Sequence, residues 1–306
     1  MARSLLNYPR RSCRGVKNSV DFTRADRTRR IPLREQITHI VIPDTQAKAG
    51  VPFDHLAWIG QYIVDEFRDE PVKIIHLGDH ADMPSLSMYD KGKKAMENRR
   101  YKQDIESANE AWAILNRALT DFNLHRKKQK HAPWLPERHI LLGNHEDRIN
   151  RAVSLDAQLE GVISTDDLDY ARMGWKVSPF LDVLWLDGVA YSHYFYNPMT
   201  GKPLGGNVEA RLKSIGHSFS MGHQQTLAYG LRFVAGKSQH GLVAGACYLH
   251  DEDYKGPQGN AHWRGIIVKH EVREGSYDPM FVSLDYLCRR YEGMSLEKFM
   301  AKKYPQ

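Results

Sequence analysis

The chain has 306 residues, 42% hydrophobic and 26% charged, which is ample for one large core. It contains no apolar run near the ~20 residues a membrane helix needs, which excludes a spanning segment. Its net charge of +6 is unevenly placed, and its cysteines, Cys13, Cys247 and Cys288, are too few and too scattered for a disulfide framework or a CxxC metal clip. A reducing, cytoplasmic setting is the expectation.

Residues 1–36 form a basic arm. They hold ten Lys/Arg against Asp21, Asp26 and Glu35, a surplus of seven where the whole chain has +6. The body over 37–306 is therefore close to neutral. The arm carries no pattern of a secretory signal, although an Arg-rich organellar leader fits its composition. An arginine-rich arm suits a polyanion such as nucleic acid; the alternative is a solubilising tail or a packed extension.

Next, "ITHIVIP" (37–43) is a β-branched run that predicts a buried strand ending at Asp44. "FDHLAWIGQYIVDEF" (53–67) has helical spacing. "VKIIHLGD" (72–79) predicts a second strand. A basic insert spans about 88–137. It includes "KGKKAMENRRYK" (91–102), a helix over 107–122 and the loop "HRKKQKHAPWLPE" (125–137). "RHILLGN" (138–144) predicts a third strand. Strand–loop–helix units in succession argue for a mixed α/β core with parallel strands. From 177 the texture turns β-rich. A hairpin is expected around Asp187-Gly188, with further strand over 240–249 and 263–287.

Each early strand ends in polar residues: "PDTQ" (43–46), "GDHAD" (78–82) and "GNHEDR" (143–148). In parallel α/β sheets the C-terminal strand edges meet at one crevice. Asp44, Gln46, Asp79, Asp82, Asn144 and His145 are thus expected in one site. Singly, each triplet reads equally well as a helix cap or a turn.

The series resembles the calcineurin-like metallophosphoesterases, whose pattern is D-x-H, G-D-x-x-D, G-N-H-[DE], an isolated His, then G-H-x-H. Here these are Asp44-Thr45-Gln46, Gly78-Asp79-His80-Ala81-Asp82, Gly143-Asn144-His145-Glu146, His193 in "AYSHYF", and Gly222-His223-Gln224-Gln225. The likeness covers residues 37–226, and is nearest to phage-encoded members described as DNA exonucleases or phosphoesterases. It implies a four-layer α-β-β-α sandwich of two mixed sheets flanked by helices, the metallo-dependent phosphatase type. It also implies two divalent cations. One site would use Asp44, Gln46, Asp79 and Gln225; the other would use Asp79, Asn144, His193 and His223, with Asp79 shared. Both departures from the pattern exchange His for Gln, at Gln46 and Gln225, and both fall in the first site. Oxygen donors there favour Mn²⁺ or Mg²⁺ over Zn²⁺ or Fe. The alternative is that neither Gln touches metal. His223 is preferred over His217 because Gln225 follows it at the pattern's spacing.

By the same resemblance, a hydroxide shared by the cations attacks phosphorus, His145 protonates the leaving group and Asp82 orients His145. Arg148 is expected to bind phosphate, or to pair with Glu146 or Asp147. His80 is expected to contact substrate, or to be an exposed loop residue. The function implied is phosphodiester hydrolysis, with DNA the leading substrate from the arm and the insert. Alternatives are a phosphoprotein phosphatase, a small-nucleotide phosphodiesterase, or a catalytically weakened nucleic-acid-binding module. For a phage-encoded chain the compartment would be the host cytoplasm.

Overall fold

The structure is a computed structural model and describes residues 37–252 and 255–305. The arm over 1–36 lies outside the described residues. The chain runs β1 (Thr38–Ile42), α1 (Asp54–Phe67), β2 (Val72–His76), α2 (Tyr101–Lys128), β3 (Glu137–Leu141), α3 (Asp147–Leu155) and β4 (Lys176–Ser178). The β-branched runs that predicted β1, β2 and β3 are strands, and β1 to β4 pair in parallel. α2 is longer than the 107–122 expected. Tyr101, Ile105, Ala108, Trp112, Leu115 and Leu119 keep one apolar stripe, while the basic residues ride on the solvent side. The segment 176–178, expected with the hairpin, instead joins the first sheet beside β3.

The second half supplies β5 (Leu184–Leu186), β6 (Val189–Ser192), the short ribbon β7 (Tyr196–Asn197) and β8 (Lys202–Pro203), and α4 (Val208–Ile215). β9 (Ser218–Met221), β10 (Leu227–Val234), β11 (Lys237–Ala244) and α5 (Gly256–Asn260) follow. The chain closes with β12 (Gly265–Arg273), β13 (Ser276–Ser283), α6 (Leu284–Glu292) and α7 (Leu296–Lys303). The β5–β6 hairpin turns at Asp187 and Gly188, both at positive φ (49° and 82°), as a tight two-residue turn requires. The strand expected through 287 stops at Ser283. The Ser283 hydroxyl accepts from the Tyr286 N–H and starts α6 instead.

Two mixed sheets result, six strands in the order β13-β12-β1-β2-β3-β4 and five in the order β10-β11-β9-β6-β5. Alternation along each strand separates three cores. Ile40, Ile42, Ile74 and Ile140 face α1 and α2, with Trp112 fully buried. Val41, Ile75, Leu141 and Ile267 of the first sheet meet Val189, Tyr191, Leu242 and Ala244 of the second. Ala190, Phe219, Met221 and Val243 pack outward under Val208 and Leu212 of α4. The fold is α/β with two mixed sheets and helices, an arrangement compatible with a sandwich. No helix among the described residues is long and apolar enough to cross a membrane.

Candidate metal centre and active site

The site assembles where parallel strands end. Asp44 follows β1, Asp79 follows β2 and Asn144 follows β3; His193 follows β6 and His223 follows β9. β6 and β9 run parallel and in register at Ser192 and Met221, so their next residues leave the second sheet side by side. Main-chain bonds lock the loops together. Gln46 N–H donates to Asp79 O at 2.9 Å, and Gly222 N–H donates to His193 O at 3.0 Å. Gly143 and Gly222 have no room for a Cβ, because the carboxylates of Asp79 and Asp44 lie against them. Gln46, Asp79, His223 and Gln225 all sit at positive φ (46°, 49°, 67° and 57°). Such backbone costs about 1–3 kcal/mol per residue and collects at functional sites.

Asp79, His193 and His223 present ligand atoms within 4.8 Å of one another, in an arrangement able to hold a metal ion. Asn144 completes the group. Its Oδ1 lies 2.9 Å from His193 Nε2 and 2.8 Å from His223 Nδ1. Asp79 Oδ2 lies 3.4 Å from His193 Nε2. His193 Nδ1 donates to the Leu77 carbonyl at 2.8 Å, which fixes the ring and aims Nε2 into the cluster. Burial opposes a charge on His193, yet the Asp79 carboxylate outweighs it and pushes the imidazole up to about 9. Burial and the neighbouring His193 push His223 down to about 4. Two imidazoles and two oxygens converging in a buried space fit a dication.

The other half of the expected pair is built differently. Burial raises the Asp44 carboxyl to about 7. Its Oδ1 accepts from the His223 N–H at 3.1 Å, while its buried Oδ2 has no hydrogen-bond partner among the described residues. Gln46 turns its amide Nε2 toward Asp79 Oδ2 at 3.3 Å. Gln225 Oε1 accepts from the Tyr248 hydroxyl at 3.0 Å and from the Lys255 ammonium. An amide N–H of Gln46 faces Asp79, and Lys255 donates to the amide oxygen of Gln225.

His145 and Asp82 lie beside the cluster. His145 Nδ1 is 2.7 Å from Asp82 Oδ1 and 2.9 Å from the Asp82 carbonyl. Burial disfavours its charge, but the carboxylates of Asp79 and Asp82 prevail and hold His145 above its ordinary value. Arg148 donates to the carbonyls of Asp82 and Met83 at 2.9 and 3.2 Å, and its Nη2 lies 3.3 Å from His145 Nε2. The expected pairing of Arg148 with Glu146 or Asp147 is not made. Glu146 points inward and Asp147 pairs with Arg151 at 3.2 Å. A cleft of about 490 Å³ opens here, with Asn144, Arg148, Tyr194 and His223 on one side and Met88, Tyr89, Lys91 and Met96 on the other. The basic insert thus reaches the cleft wall through Lys91 and Met96.

His80 corrects an expectation. It is neither exposed nor in the cleft. It is fully buried, with Nδ1 2.7 Å from Thr45 Oγ1 and Nε2 3.0 Å from the Ala108 carbonyl, and its ring packs 4.7 Å from Trp112. α2 covers it, so it braces the loop after β2 from behind. His217 packs edge-to-face against Trp185 instead of joining the cluster.

Three further contributors are Glu146, whose place in the G-N-H-[DE] pattern did not reveal its role, and Lys48 and Lys255, which no motif marks. Glu146 is buried and accepts from the N–H groups of Asp79 (2.9 Å), Ala81 (2.9 Å) and Gly143 (2.8 Å), and from the Tyr170 hydroxyl (3.2 Å). It ties the loops after β2 and β3 into one unit. Lys48 bridges Asp82 at 3.0 Å and Glu252 at 2.8 Å. Lys255 reaches Gln225 from a loop of the last third of the chain. No protein-family model matches the chain, and no curated protein matches it.

Proposed function

We propose that the chain is a metal-dependent phosphoric diester hydrolase of the calcineurin-like, metallo-dependent phosphatase type, acting on nucleic acid. The observation that carries this reading is the meeting of Asp79, Asn144, His193 and His223, from strand ends of both sheets, beside the His145–Asp82 pair. Those four residues would hold a dication, and their two imidazoles suit Zn²⁺ or Fe as well as Mn²⁺. A cation bound there would supply positive charge that makes water a better nucleophile and neutralises phosphoryl oxygens.

The chain's own groups have definable tasks. Water adds to phosphorus, the bond from phosphorus to the leaving oxygen breaks, and that oxygen takes a proton. His145 gives the proton through Nε2, because Nδ1 is committed to Asp82. Asp82 fixes the ring and favours its charged form, and Lys48 and Arg148 hold Asp82 in turn. Arg148, at the cleft wall, orients a phosphoryl oxygen. The arginines of the arm and Lys91 at the cleft favour a polyanionic diester over a phosphoprotein.

The test is a hydrolysis panel with Mn²⁺: plasmid DNA, single-stranded DNA, RNA, a cyclic nucleotide, bis-p-nitrophenyl phosphate and p-nitrophenyl phosphate. Turnover confined to diesters is expected. Preference for the monoester would replace the reading with a phosphatase. No turnover with any cation would replace it with a binding module.

A further inference from the structure

We propose that the Lys255 ammonium takes the place of a second cation, so that the protein holds one dication tightly and completes the site with a fixed organic charge. The inference deepens the hydrolase reading, since it concerns the same site. It starts from Gln225. The Gln225 side chain is buried, and its oxygen accepts from the Lys255 ammonium and from the Tyr248 hydroxyl at 3.0 Å. Lys255 Nζ is itself 2.9 Å from the Tyr248 hydroxyl, so the three side chains form a closed triangle. Gln225 stands at positive φ (57°), so the backbone is held out of its ordinary region to deliver this oxygen.

Gln46 agrees with the same arrangement. It turns its amide N–H toward Asp79 Oδ2 at 3.3 Å. A dication needs oxygen or nitrogen lone pairs from every neighbour; an ammonium needs acceptors, and Gln225 and Tyr248 supply two. Burial pulls the Lys255 pKa below its ordinary value, and the nearby Glu252 and Asp44 carboxylates work against that fall. A second dication next to Lys255 would set two like charges together in a buried space, which is costly. Lysine is suited to the task because it is a compact point charge on a flexible stem.

The experiment counts cations without substrate. Wild type, Lys255→Gln, the double variant Gln46→His with Gln225→His, and the triple variant combining all three are titrated with Mn²⁺ by calorimetry. Bound metal is then counted after dialysis. Thermal unfolding confirms that each variant is folded. Wild type is expected to bind one equivalent tightly and no second at millimolar Mn²⁺. The double variant should still bind one, because Lys255 remains. The triple variant should bind two. Two tight equivalents in wild type, or one in the folded triple variant, would overturn the proposal.

Activity provides a separate arm. Lys255→Gln should lower kcat on bis-p-nitrophenyl phosphate and on alkyl diesters alike, by roughly 10–10²-fold. A charge on the phosphoryl group serves both leaving groups equally, and the tight equivalent should be unchanged. An effect confined to alkyl diesters would overturn the assigned role. Should the hydrolase reading itself fail, the cation counts still decide whether Lys255 excludes a second metal.

Discussion

His145 presents Nδ1 to the Asp82 carboxylate at 2.7 Å, while its own N–H donates to Asp79 Oδ1 at 2.9 Å. Ring and backbone are thus tied to two different carboxylates, one within the Asp79–His193–His223 group and one outside it. The ring cannot rotate without losing Asp82, so Nε2 is the nitrogen left for chemistry. His145→Ala is expected to lower turnover of alkyl diesters by ~10²-fold or more. Bound metal should be retained, because His145 is not among the converging ligands. With a nitrophenolate leaving group, which needs no proton, the loss should shrink. Equal losses on the two substrate types, or metal loss in the variant, would refute the role.

Glu146 makes a second prediction. Three backbone N–H groups donate to it and the Tyr170 hydroxyl lies 3.2 Å away, a surrounding that suits acceptor oxygens. Burial, followed by the nearby Asp79 charge, raises its pKa, and the backbone donors work against that rise. Glu146→Gln exchanges an acceptor for an NH₂ that must face an N–H. The cost is expected to be ~1–3 kcal/mol for the group left unpaired. Glu146→Ala orphans all three backbone donors and should cost more, and it should also weaken Mn²⁺ binding by loosening the loops that carry Asp79 and Asn144. Urea unfolding and calorimetry on both variants check this. A Glu146→Gln protein as stable as wild type would show the network to be dispensable.

Much of this arrangement was legible before any coordinates, for a physical reason. Buried parallel strands are unbroken β-branched runs, and their ends converge, so Asp44, Asp79 and Asn144 could be placed together from order alone. The rest depended on contacts that no local pattern encodes. His80 looks like a loop residue until α2 is laid over it, with Trp112 and the Ala108 carbonyl closing its pocket. β10 carries no clear strand signal, because Gly230 interrupts its run and much of the strand is exposed or half-buried. Lys48 meets Glu252 across 204 residues of sequence, and Lys255 meets Gln225 across 30. The family resemblance implied the ligand types of the expected first site, but only the fold shows that Lys255 meets Gln225.

The arm, outside the described residues, is tested by removal. If residues 1–36 contact phosphates, deleting them should weaken DNA binding and flatten its dependence on salt. Each lost contact should remove about 0.9 from the slope of log K against log salt. Turnover of bis-p-nitrophenyl phosphate should survive, since every residue assigned to the candidate site belongs to the body. An unchanged salt slope would show that the arm does not bind the polyanion.

His55 leads to a prediction about acid stability. It sits in α1, is almost fully buried, and is pushed down to about 3, first by burial and then by the charge of His250. Its ordinary value is 6.5. Between those two values the unfolded chain binds a proton that the folded chain refuses. Lowering the pH through this window therefore favours unfolding, with a limiting slope of about 1.4 kcal/mol per pH unit for one such group. His39, buried against Tyr191 and likewise pushed down to about 3, adds in the same direction. Stability is expected to fall from pH 6.5 toward pH 4.5, above the range where ordinary carboxylates titrate. His55→Leu keeps an apolar side chain of similar size in the same place and removes one titrating group. Its stability should decline less steeply over that interval, with the difference from wild type growing as the pH is lowered. Urea unfolding of the two proteins at half-unit steps measures both slopes. Parallel slopes would mean that His55 takes up its proton in the folded state, and that acid lability arises elsewhere.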